Sequence, residues 1–389
     1  MMIRTPRNIS HSLSVAGLAF CLFTSSCKEV KKEEKQVDKM EQNTATTPFL
    51  VGTWTNTDSK GIYKMLLNTS TGALENKGLV ATQTSPSYLY ISPDKKRIYS
   101  VNEKEDGSIS TYKWNDNQTQ LIQLNESSSK GNSPCYIEVN NHKNLLAAAN
   151  YASGDLVVYR LDRNGVPTGE PQYKKHSGSG PYKPNQDSPH AHCSKFSKDG
   201  KYLYTVDLGT DEVNVYAIND KGELGEEQVA LALDKGDGSR HLIFHPTKNI
   251  AYISNEISSS VVVATIDPNT GLMERIDKKS TLPEDFMEDS YVADLHLSSN
   301  GKFLYVSNRG HNSIAIFAVA DNGSLTMLNT VSTEGNWPRN FQFSPDEAFM
   351  LVANQESNDI AVFNVNQETG MLSFTGHKAT IATPVFIGF

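Results

Sequence analysis

The segment HCSKFSKDGKYLYTVD, at residues 192–207, is one copy of a pattern that recurs along most of the 389-residue chain. Each copy predicts an apolar strand, a polar turn and a second apolar strand that ends in a polar residue. The other copies are SYLYISPDKKRIYSVNE (87–103), YIEVNNHKNLLAAAN (136–150), RHLIFHPTKNIAYISNE (240–256), ADLHLSSNGKFLYVSNRG (293–310) and RNFQFSPDEAFMLVANQ (339–355). Two further strand-like segments follow, as in 259–267 and 273–278. Recurring units of four strands, about 40–50 residues long, are typical of a β-propeller.

The two ends of the chain supply complementary parts of one more unit. PVFIGF, at 384–389, resembles a first strand without followers, whereas 49–55, 61–68 and 74–82 are three strands without a first one. Pairing them closes the ring and removes an exposed sheet edge, which would otherwise invite aggregation. No segment shows a sustained helical period. We therefore expect an all-β fold over 48–389, a seven-bladed β-propeller whose N- and C-terminal strands share one blade.

The N-terminal segment predicts export rather than folding. Arg4 and Arg7 precede an apolar run at 13–23 that is too short to span a bilayer, and small residues then lead to Cys27. This order resembles a bacterial lipoprotein signal peptide over 1–27, with Cys27 as the lipidated residue. The alternative is an ordinary cleaved signal in which the cysteine is incidental.

Composition limits the partners and the location. Residues 28–47 are polar and predict a disordered tether, so we expect an exported lipoprotein, anchored in the membrane only through its N-terminal lipid, in the periplasm or at the cell surface. The formal net charge of −8 disfavours a nucleic-acid partner. Outside the leader only Cys135 and Cys193 remain, and we favour free, packed thiols over a disulfide.

Polar residues converge on one rim of the predicted ring. The first and second strands of a blade are antiparallel, so the start of one and the end of the other lie at the same rim. Strand starts carry Ser87, Cys135, His192, Arg240, Ala293 and Arg339, and strand ends carry Asn102, Glu103, Asn150, Asp207, Asn255, Glu256, Asn308, Arg309, Asn354 and Gln355. The recurring asparagines favour a structural role for most of them. The residues that break the repeat are stronger functional candidates: His192, Arg240, Glu256, Arg309, Arg339 and Gln355.

Two features near this rim leave alternatives open. His190 and His192 lie two residues apart on an extended segment, but no spacing supplies the further ligands that a metal needs, so we predict neither a metal site nor a cofactor. His241, His245 and His311 are interpreted as packing or surface residues. The inserts at 169–189 and 277–291 cross the same rim, and the first could wall a pocket.

Four segments carry a family resemblance: PHAHCSKFSKDGKYLYTVDLGTDEVNVY (189–216), SRHLIFHPTKNIAYISNE (239–256), NGKFLYVSNRGHNSIAIF (300–317) and GNWPRNFQFSPDEAFMLVANQESNDIAVF (335–363). They resemble the propeller-type lactonases, a family that includes bacterial 6-phosphogluconolactonases and is similar to carboxy-muconate lactonizing enzymes. The resemblance implies hydrolysis of a small sugar-acid lactone. It also places the active site of the muconate enzymes at His192, Arg240, Glu256 and Arg309.

The mechanism implied is water attack on a cyclic ester. Glu256 or His192 is the candidate general base, and the always-charged Arg240 and Arg309 suit oxyanion stabilisation. Substrate binding is assigned to Arg339, Gln355, His190, Asp207 and Asn150. Two alternatives remain: a lactonizing cycloisomerase that holds carboxylates with the same arginines, and a non-catalytic propeller that binds a surface ligand.

Overall fold

The fold of residues 45–389 was analysed in a computed structural model, and these residues form strands and connections only. The strands make seven four-stranded antiparallel sheets. The first strands of neighbouring blades contact one another all the way round, so they surround a central channel. The predicted seven-bladed β-propeller is confirmed.

The strands are numbered along the chain, and blade seven contains the strands of both termini. Blade one contains β4 (Leu89–Ile91), β5 (Ile98–Asn102), β6 (Ser108–Trp114) and β7 (Leu121–Ser128). Blade two contains β8 (Pro134–Asn140), β9 (Leu145–Asn150), β10 (Asp155–Leu161) and β11 (Pro167–Lys175). Blade three contains β12 (Ala191–Phe196), β13 (Tyr202–Asp207), β14 (Glu212–Ala217) and β15 (Gln228–Ala232).

The remaining blades follow the same order from the channel outwards. Blade four contains β16 (Ser239–Phe244), β17 (Ile250–Asn255), β18 (Ser260–Ile266) and β19 (Met273–Ser280). Blade five contains β20 (Tyr291–Leu297), β21 (Phe303–Arg309), β22 (Ser313–Val319) and β23 (Leu325–Ser332). Blade six contains β24 (Pro338–Phe343), β25 (Phe349–Asn354), β26 (Asp359–Val365) and β27 (Leu372–Thr380). Blade seven contains β28 (Pro384–Gly388), β1 (Thr46–Thr53), β2 (Gly61–Asn68) and β3 (Leu74–Thr82).

Blade seven closes the ring as the sequence predicts. β28 pairs with β1, with Pro384 opposite Thr53 and Gly388 opposite Leu50. β1 begins two residues before the expected boundary at 48, because Thr46 pairs with Asn68 in β2. The predicted signal peptide, the predicted lipid site Cys27 and residues 28–44 of the predicted tether lie outside the described residues.

Neighbouring blades are joined by buried tyrosines of the second strands. The hydroxyl of Tyr204 donates to the Gly271 carbonyl at 2.9 Å, and Tyr305 donates to that of Gly370 at 2.8 Å. Both glycines have positive φ, which a side chain rarely tolerates. Each such bond fixes a blade to an outer turn of the next one and satisfies a polar group that would otherwise be buried unpaired.

A β-bulge interrupts the first strand of six blades close to the same rim. The pairing of the first two strands shifts by one residue there, and the unpaired residues are Cys135, His192, Arg240, Ala293 with Asp294, Arg339 and Val385. A bulge bends the strand and re-aims a side chain. Several of these residues were predicted as strand starts. They instead follow the first residues of β8, β12, β16, β20 and β24, and we call them the bulge ring.

Candidate active site

The mouth of the channel is built from two sets of residues. The bulge ring forms the lower set. The upper set contains one residue from each blade, and we call it the rim ring. Each member directly follows the position equivalent to Asn255 near the end of the second strand. The members are Trp54, Glu103, Tyr151, Leu208, Glu256, Arg309 and Gln355. Because the two strands are antiparallel, every blade adds a rim-ring residue and six blades add bulge-ring residues to one opening.

A carboxylate held by two guanidinium groups lies at the centre of the site. Glu256 Oε2 is 3.0 Å from Arg240 Nε and 2.8 Å from Arg309 Nη2. Both contacts are ion pairs, and Arg240 Nε has no aligned hydrogen bond. Burial raises the pKa of Glu256, but the charges of Arg309 and Arg240 outweigh it and lower that pKa below its usual value. The carboxylate therefore stays ionised and is held in place.

Backbone carbonyls of blade five hold the two arginines. Arg240 Nη1 donates to the Ala293 carbonyl at 2.7 Å, and Arg309 donates to the Val292 carbonyl at 3.0 Å through Nη2. Arg309 also lies over the ring of Trp337, 5.5 Å from its centroid. Burial lowers the pKa of Arg240 to about 10, so both guanidinium groups remain charged at neutral pH.

His192 faces the same opening as a neutral imidazole. Its side chain is 4% exposed, and its ring lies edge-on to those of Tyr151 and His241, with centroids 5.5 Å and 5.3 Å away. Burial, followed by the charge of Arg240, lowers its pKa well below the usual value. Its Nδ1 is buried and has no hydrogen-bond partner within residues 45–389. The imidazole therefore presents an unoccupied nitrogen without a charge.

A hydrogen-bonded network supports the arginines from below. His241 Nε2 lies 3.2 Å from Arg240 Nη1, and its Nδ1 lies 3.1 Å from Asp294 Oδ1. The other oxygen of Asp294 contacts His296 at 3.0 Å and accepts from the Asn340 amide at 2.5 Å. His241 is a buried packing residue, as interpreted from the sequence, and it also contacts Asp294 of the next blade, which that interpretation did not include. The network fixes the position of Arg240.

Side chains fill the channel beneath this network. The cavity among the bulge-ring residues Cys135, Arg240 and Arg339 has a volume of about 10 Å³, roughly one water molecule. Tyr88 stacks on Tyr136 at 4.3 Å, and His241 lies edge-on to both rings. These rings therefore fill the channel beneath the mouth. A groove of about 430 Å³ at the opposite rim, between blades seven and one, contains neither histidine nor glutamate.

Arg339 is the guanidinium group of the mouth that has no carboxylate partner in the described part of the chain. It lies over the ring of Trp54, 4.8 Å from the centroid. Nearby, Trp54 Nε1 and Gln355 Oε1 are buried without hydrogen-bond partners among the described residues. The predicted substrate-binding residues Arg339 and Gln355 therefore keep polar groups available for a ligand.

Asn150 and Asp207, also predicted to bind substrate, are instead fully buried in the scaffold. The amide of Asn150 donates to Asp155 at 2.6 Å and to the Ser129 carbonyl at 2.8 Å. Asp207 lies 2.7 Å from His176 Nδ1 and accepts from the backbone N–H groups of His190, Gly209 and Thr210. These bonds hold strands and loops together, so we assign both residues to the scaffold.

His190 lies at the edge of the mouth. Its ring stacks on Tyr151 at 4.6 Å, and its Nδ1 lies 2.8 Å from the Tyr151 carbonyl. Within residues 45–389 no group of three or more His, Cys, Asp or Glu side chains is placed to hold a metal ion. His190 therefore positions Tyr151, which in turn packs against His192.

The insert after β11 lines one side of the opening. Gln186 anchors it by donating to the Leu208 carbonyl at 2.8 Å and to Asp211 at 2.7 Å. From there the loop reaches Tyr182, which lies beside Tyr291 of blade five. In the second insert Phe286 packs edge-on to His311 at 4.5 Å. Both inserts thus lie at the rim where the candidate residues meet.

The two cysteines of the domain are buried free thiols, as we favoured from the sequence. Cys135 is part of the bulge ring, and its sulfur lies 3.6 Å from the His192 carbonyl. Burial, followed by the charge of Glu103, raises the pKa of this thiol well above its usual value. A thiol that does not ionise is a poor nucleophile, so Cys135 does not fit that role.

Comparisons with known proteins agree with this architecture. The family model described as "Lactonase, 7-bladed beta-propeller" matches residues 48–389. The chain therefore belongs to the seven-bladed β-propeller lactonase family, as the sequence motifs indicated.

Similar proteins cover nearly the same length. The 6-phosphogluconolactonase of Bacillus subtilis is 35% identical over 342 residues, which is 87% of this chain and 97% of the relative. The 6-phosphogluconolactonase of Formosa agariphila is 34% identical and covers 81% of this chain and 92% of its own. The solved structure of the periplasmic gluconolactonase of Pseudomonas aeruginosa is 30% identical, with a TM-score of 0.82, over 88% of this chain and 98% of its own.

Proposed function

We propose that the mouth hydrolyses the lactone ring of a sugar acid to the open-chain acid. The observation that carries the proposal is the Glu256–Arg240–Arg309 cluster beside an uncharged His192. The family name and the names of the relatives, 6-phosphogluconolactonase and gluconolactonase, support a lactone as substrate.

The arginines supply the electrostatic part of the mechanism. Water attack on a lactone carbonyl moves negative charge onto the carbonyl oxygen, and fixed donors aimed at that oxygen lower the barrier. Arg309 Nε donates to the Tyr291 carbonyl, and Nη2 contacts both the Val292 carbonyl and Glu256. A guanidinium has five N–H donors, so Nη1 remains for the substrate. Glu256 acts here as a positioning residue that keeps two cations side by side.

His192 is the group better suited to take the proton from water. Glu256 is weakly basic, because one oxygen contacts both arginines and its pKa is lowered. The imidazole is unprotonated at neutral pH and has a nitrogen without a partner in the described structure. In this scheme water oxygen bonds to the carbonyl carbon while His192 takes its proton. The ester bond to the ring oxygen then breaks, and that oxygen receives the proton from His192.

A turnover screen of the leader-free protein tests this proposal. Acid release from δ- and γ-lactones, phosphorylated and unphosphorylated, is followed in a pH-stat after subtraction of spontaneous hydrolysis. We expect turnover of at least one sugar lactone, and roughly 10²–10⁴-fold slower turnover by His192→Ala. Glu256→Gln should also slow it, through loss of the arginine positions.

The matched controls are His142→Ala and Glu105→Gln, since both side chains are exposed and lie outside the mouth. They should retain the wild-type rate. Unchanged hydrolysis in both His192→Ala and Glu256→Gln would remove this mouth as the active site, and no turnover of any lactone would remove the activity.

The export and anchoring predicted from the leader form part of the proposal. β1 enters the propeller at the rim opposite the mouth, because Leu50 pairs with Gly388 whereas Thr53 pairs with Pro384. Incorporation of labelled palmitate into the full chain, but not into Cys27→Ser, is the expected result, and equal labelling of both would contradict it. Within the described residues no helix is long and apolar enough to cross a membrane.

A further inference from the structure

Two hydrogen-bond acceptors in the rim ring have no assigned partner. Glu103 Oε2 and Gln355 Oε1 are both buried, and neither has a hydrogen-bond partner in residues 45–389. Both residues as a whole are only partly buried, although these two oxygens are not exposed to solvent. Asn150, Asn255 and Asn354 also keep free oxygens, but these side chains are enclosed within their blades and lie out of reach.

The repeat shows where Glu103 points. It follows β5 as Glu256 follows β17 and as Gln355 follows β25. In each case the backbone N–H bonds to a carbonyl of the connection before the first strand: Glu103 to Ser85 at 3.1 Å, Glu256 to Gly238 at 2.7 Å and Gln355 to Trp337 at 3.0 Å. Because Glu256 projects into the mouth and contacts Arg309, the equivalent backbone position directs Glu103 into the same opening from blade one.

Electrostatics gives a second indication of the same position. The thiol of Cys135 in the bulge ring is acted on by Glu103, Arg240 and Arg339, of which Glu103 has the largest effect. Arg240 and Arg339 line the cavity that contains Cys135. Glu103 therefore belongs to the charged groups around this pocket, although it forms no ion pair among the described residues.

The mouth thus has two chemically different sides. Blades four to six supply the guanidinium donors of Arg240, Arg309 and Arg339, which suit a carbonyl oxygen or an oxyanion. Blades one and six supply Glu103 and Gln355 as acceptors. An unpaired carboxylate oxygen out of contact with water is unfavourable, because it has lost its hydration without gaining a protein donor. A ligand that brings hydroxyl donors to these oxygens removes that penalty.

We infer that Glu103, assisted by Gln355, is a specificity-determining residue that accepts hydrogen bonds from the hydroxyl groups of a polyhydroxylated lactone. The inference rests on the proposed lactonase activity. The carbonyl of the lactone lies towards Arg240 and Arg309, and its hydroxylated carbons lie towards blades one and six. A site built to bond a substrate hydroxyl discriminates strongly against an analogue that lacks it, because its own polar group is then left unpaired.

The test compares two substrates that share the reacting ester. Glucono-δ-lactone carries hydroxyl groups, and δ-valerolactone is the same six-membered lactone without them. We expect Glu103→Ala to lower kcat/KM for glucono-δ-lactone by roughly 10–100-fold, the range for a lost charged hydrogen bond, and to leave δ-valerolactone unchanged. Glu103→Gln keeps an acceptor oxygen and should restore part of the loss.

Glu105→Gln is the matched control, since Glu105 is exposed two residues further along the same loop. It should leave both substrates unchanged. An equal loss for both substrates in Glu103→Ala would overturn the inference, because it would place Glu103 in the chemical step. No loss for either substrate would overturn it too. In both cases His192→Ala still reports separately on the active site.

Binding provides a readout that does not depend on turnover. The lactam of gluconic acid, a non-hydrolysable analogue, is titrated calorimetrically into the wild type and into Glu103→Ala, with δ-valerolactam alongside. Weaker binding of the hydroxylated lactam alone supports the inference. Equal affinities of Glu103→Ala and the wild type for it would refute the inference, even if the protein hydrolysed neither lactone.

Discussion

Two histidines, His176 before β12 and His192 within it, contrast in how their polar atoms are paired. His176 contacts Asp207 at 2.7 Å through Nδ1 and Thr205 at 3.1 Å through Nε2, so both ring nitrogens have partners. His192 has a buried Nδ1 without a partner in the described chain. The first arrangement has the residue types of a catalytic triad, yet all three side chains are buried away from solvent.

The contrast separates scaffold from function. A fully satisfied polar group has no bonding capacity left for a substrate, and it stabilises the fold instead. A buried polar group without a partner is unfavourable for folding, and such groups are expected where a ligand completes the bonding. By this criterion His176, Thr205 and Asp207 are structural, whereas His192 belongs to the active site.

The largest expected effect comes from removing Asp207, the acceptor that pairs with His176. Asp207→Ala should lower the free energy of unfolding by about 3–5 kcal/mol, because His176 and three backbone N–H groups lose their acceptor. Urea unfolding followed by fluorescence measures the change. The remaining folded protein should keep its kcat. Asp220→Ala, at an exposed side chain, should unfold like the wild type. A stable but inactive Asp207→Ala protein would show that Asp207 belongs to the active site and not to the scaffold.

The next largest effect is expected in the mouth, where some polar groups have no partner. Arg309→Lys should lower kcat/KM by roughly 10²–10³-fold, about 3–4 kcal/mol of transition-state stabilisation, because lysine cannot bond Glu256, the backbone and the substrate together. Steady-state kinetics measures it. The midpoint of thermal unfolding should change little compared with the wild type. Arg275→Lys, outside the mouth, serves as the control, and an Arg309→Lys enzyme with normal kcat/KM would contradict the proposed role.

Acid should destabilise the mouth network. Burial, followed by the charge of Arg240, lowers the pKa of His241 to about 4, although Asp294 acts to raise that pKa. Between about pH 6.5 and 4 the unfolded chain binds a proton at this residue that the folded one does not, so stability falls as pH falls. The slope is up to roughly 1.4 kcal/mol per pH unit.

Urea unfolding at pH 6.5, 5.5 and 4.5 measures that slope. Because glutamine does not titrate, His241→Gln should reduce the slope by an amount that corresponds to at most one bound proton. The contribution of His176 to the pH dependence of stability has the opposite sign. Burial alone would lower its pKa, but Asp207 raises it overall, so its stabilising contribution is lost as pH rises through that raised pKa. An unchanged slope in His241→Gln would show that His241 is protonated in the folded protein. His142→Gln, at an exposed position, is the control.

The smallest expected effect concerns the aromatic support of Arg309. Trp337→Leu removes the ring beneath the guanidinium and should lower kcat/KM about two- to five-fold, which corresponds to roughly 0.5–1 kcal/mol. Trp114→Leu removes the ring beneath Lys64 at the opposite rim and should leave kcat/KM unchanged. Equal kinetics in the two variants would show that Trp337 does not support Arg309.

The sequence predicts the mouth better than the bonds within it. His192, Arg240, Glu256, Arg309, Arg339 and Gln355 were selected because they break the repeat, and the structure brings all six to one opening. Glu103 shares the position of Glu256 in its blade and could have been selected on the same ground. Trp54 and Tyr151 occupy that position too, and alignment of the repeats would have identified them.

The contacts that the sequence did not reveal share one physical cause. Asp207 looked available at the end of β13, but its partner His176 lies in the connection from the preceding blade. His241 was correctly interpreted as a packing residue, but its partner Asp294 lies in the following blade. Such partners are separated by 31 and 53 residues in the chain, and no local pattern pairs them.

The sequence alone determined the number of blades, the shared terminal blade and the rim at which the charged residues meet. These features follow from alternation and turns that repeat along the chain, and therefore from local chemistry. Only the tertiary structure decided which polar groups are satisfied. Closing the ring places residues of neighbouring blades side by side, and a bulge in the first strand of six blades re-aims side chains there, so the same residue type becomes scaffold in one blade and a candidate reactive group in another.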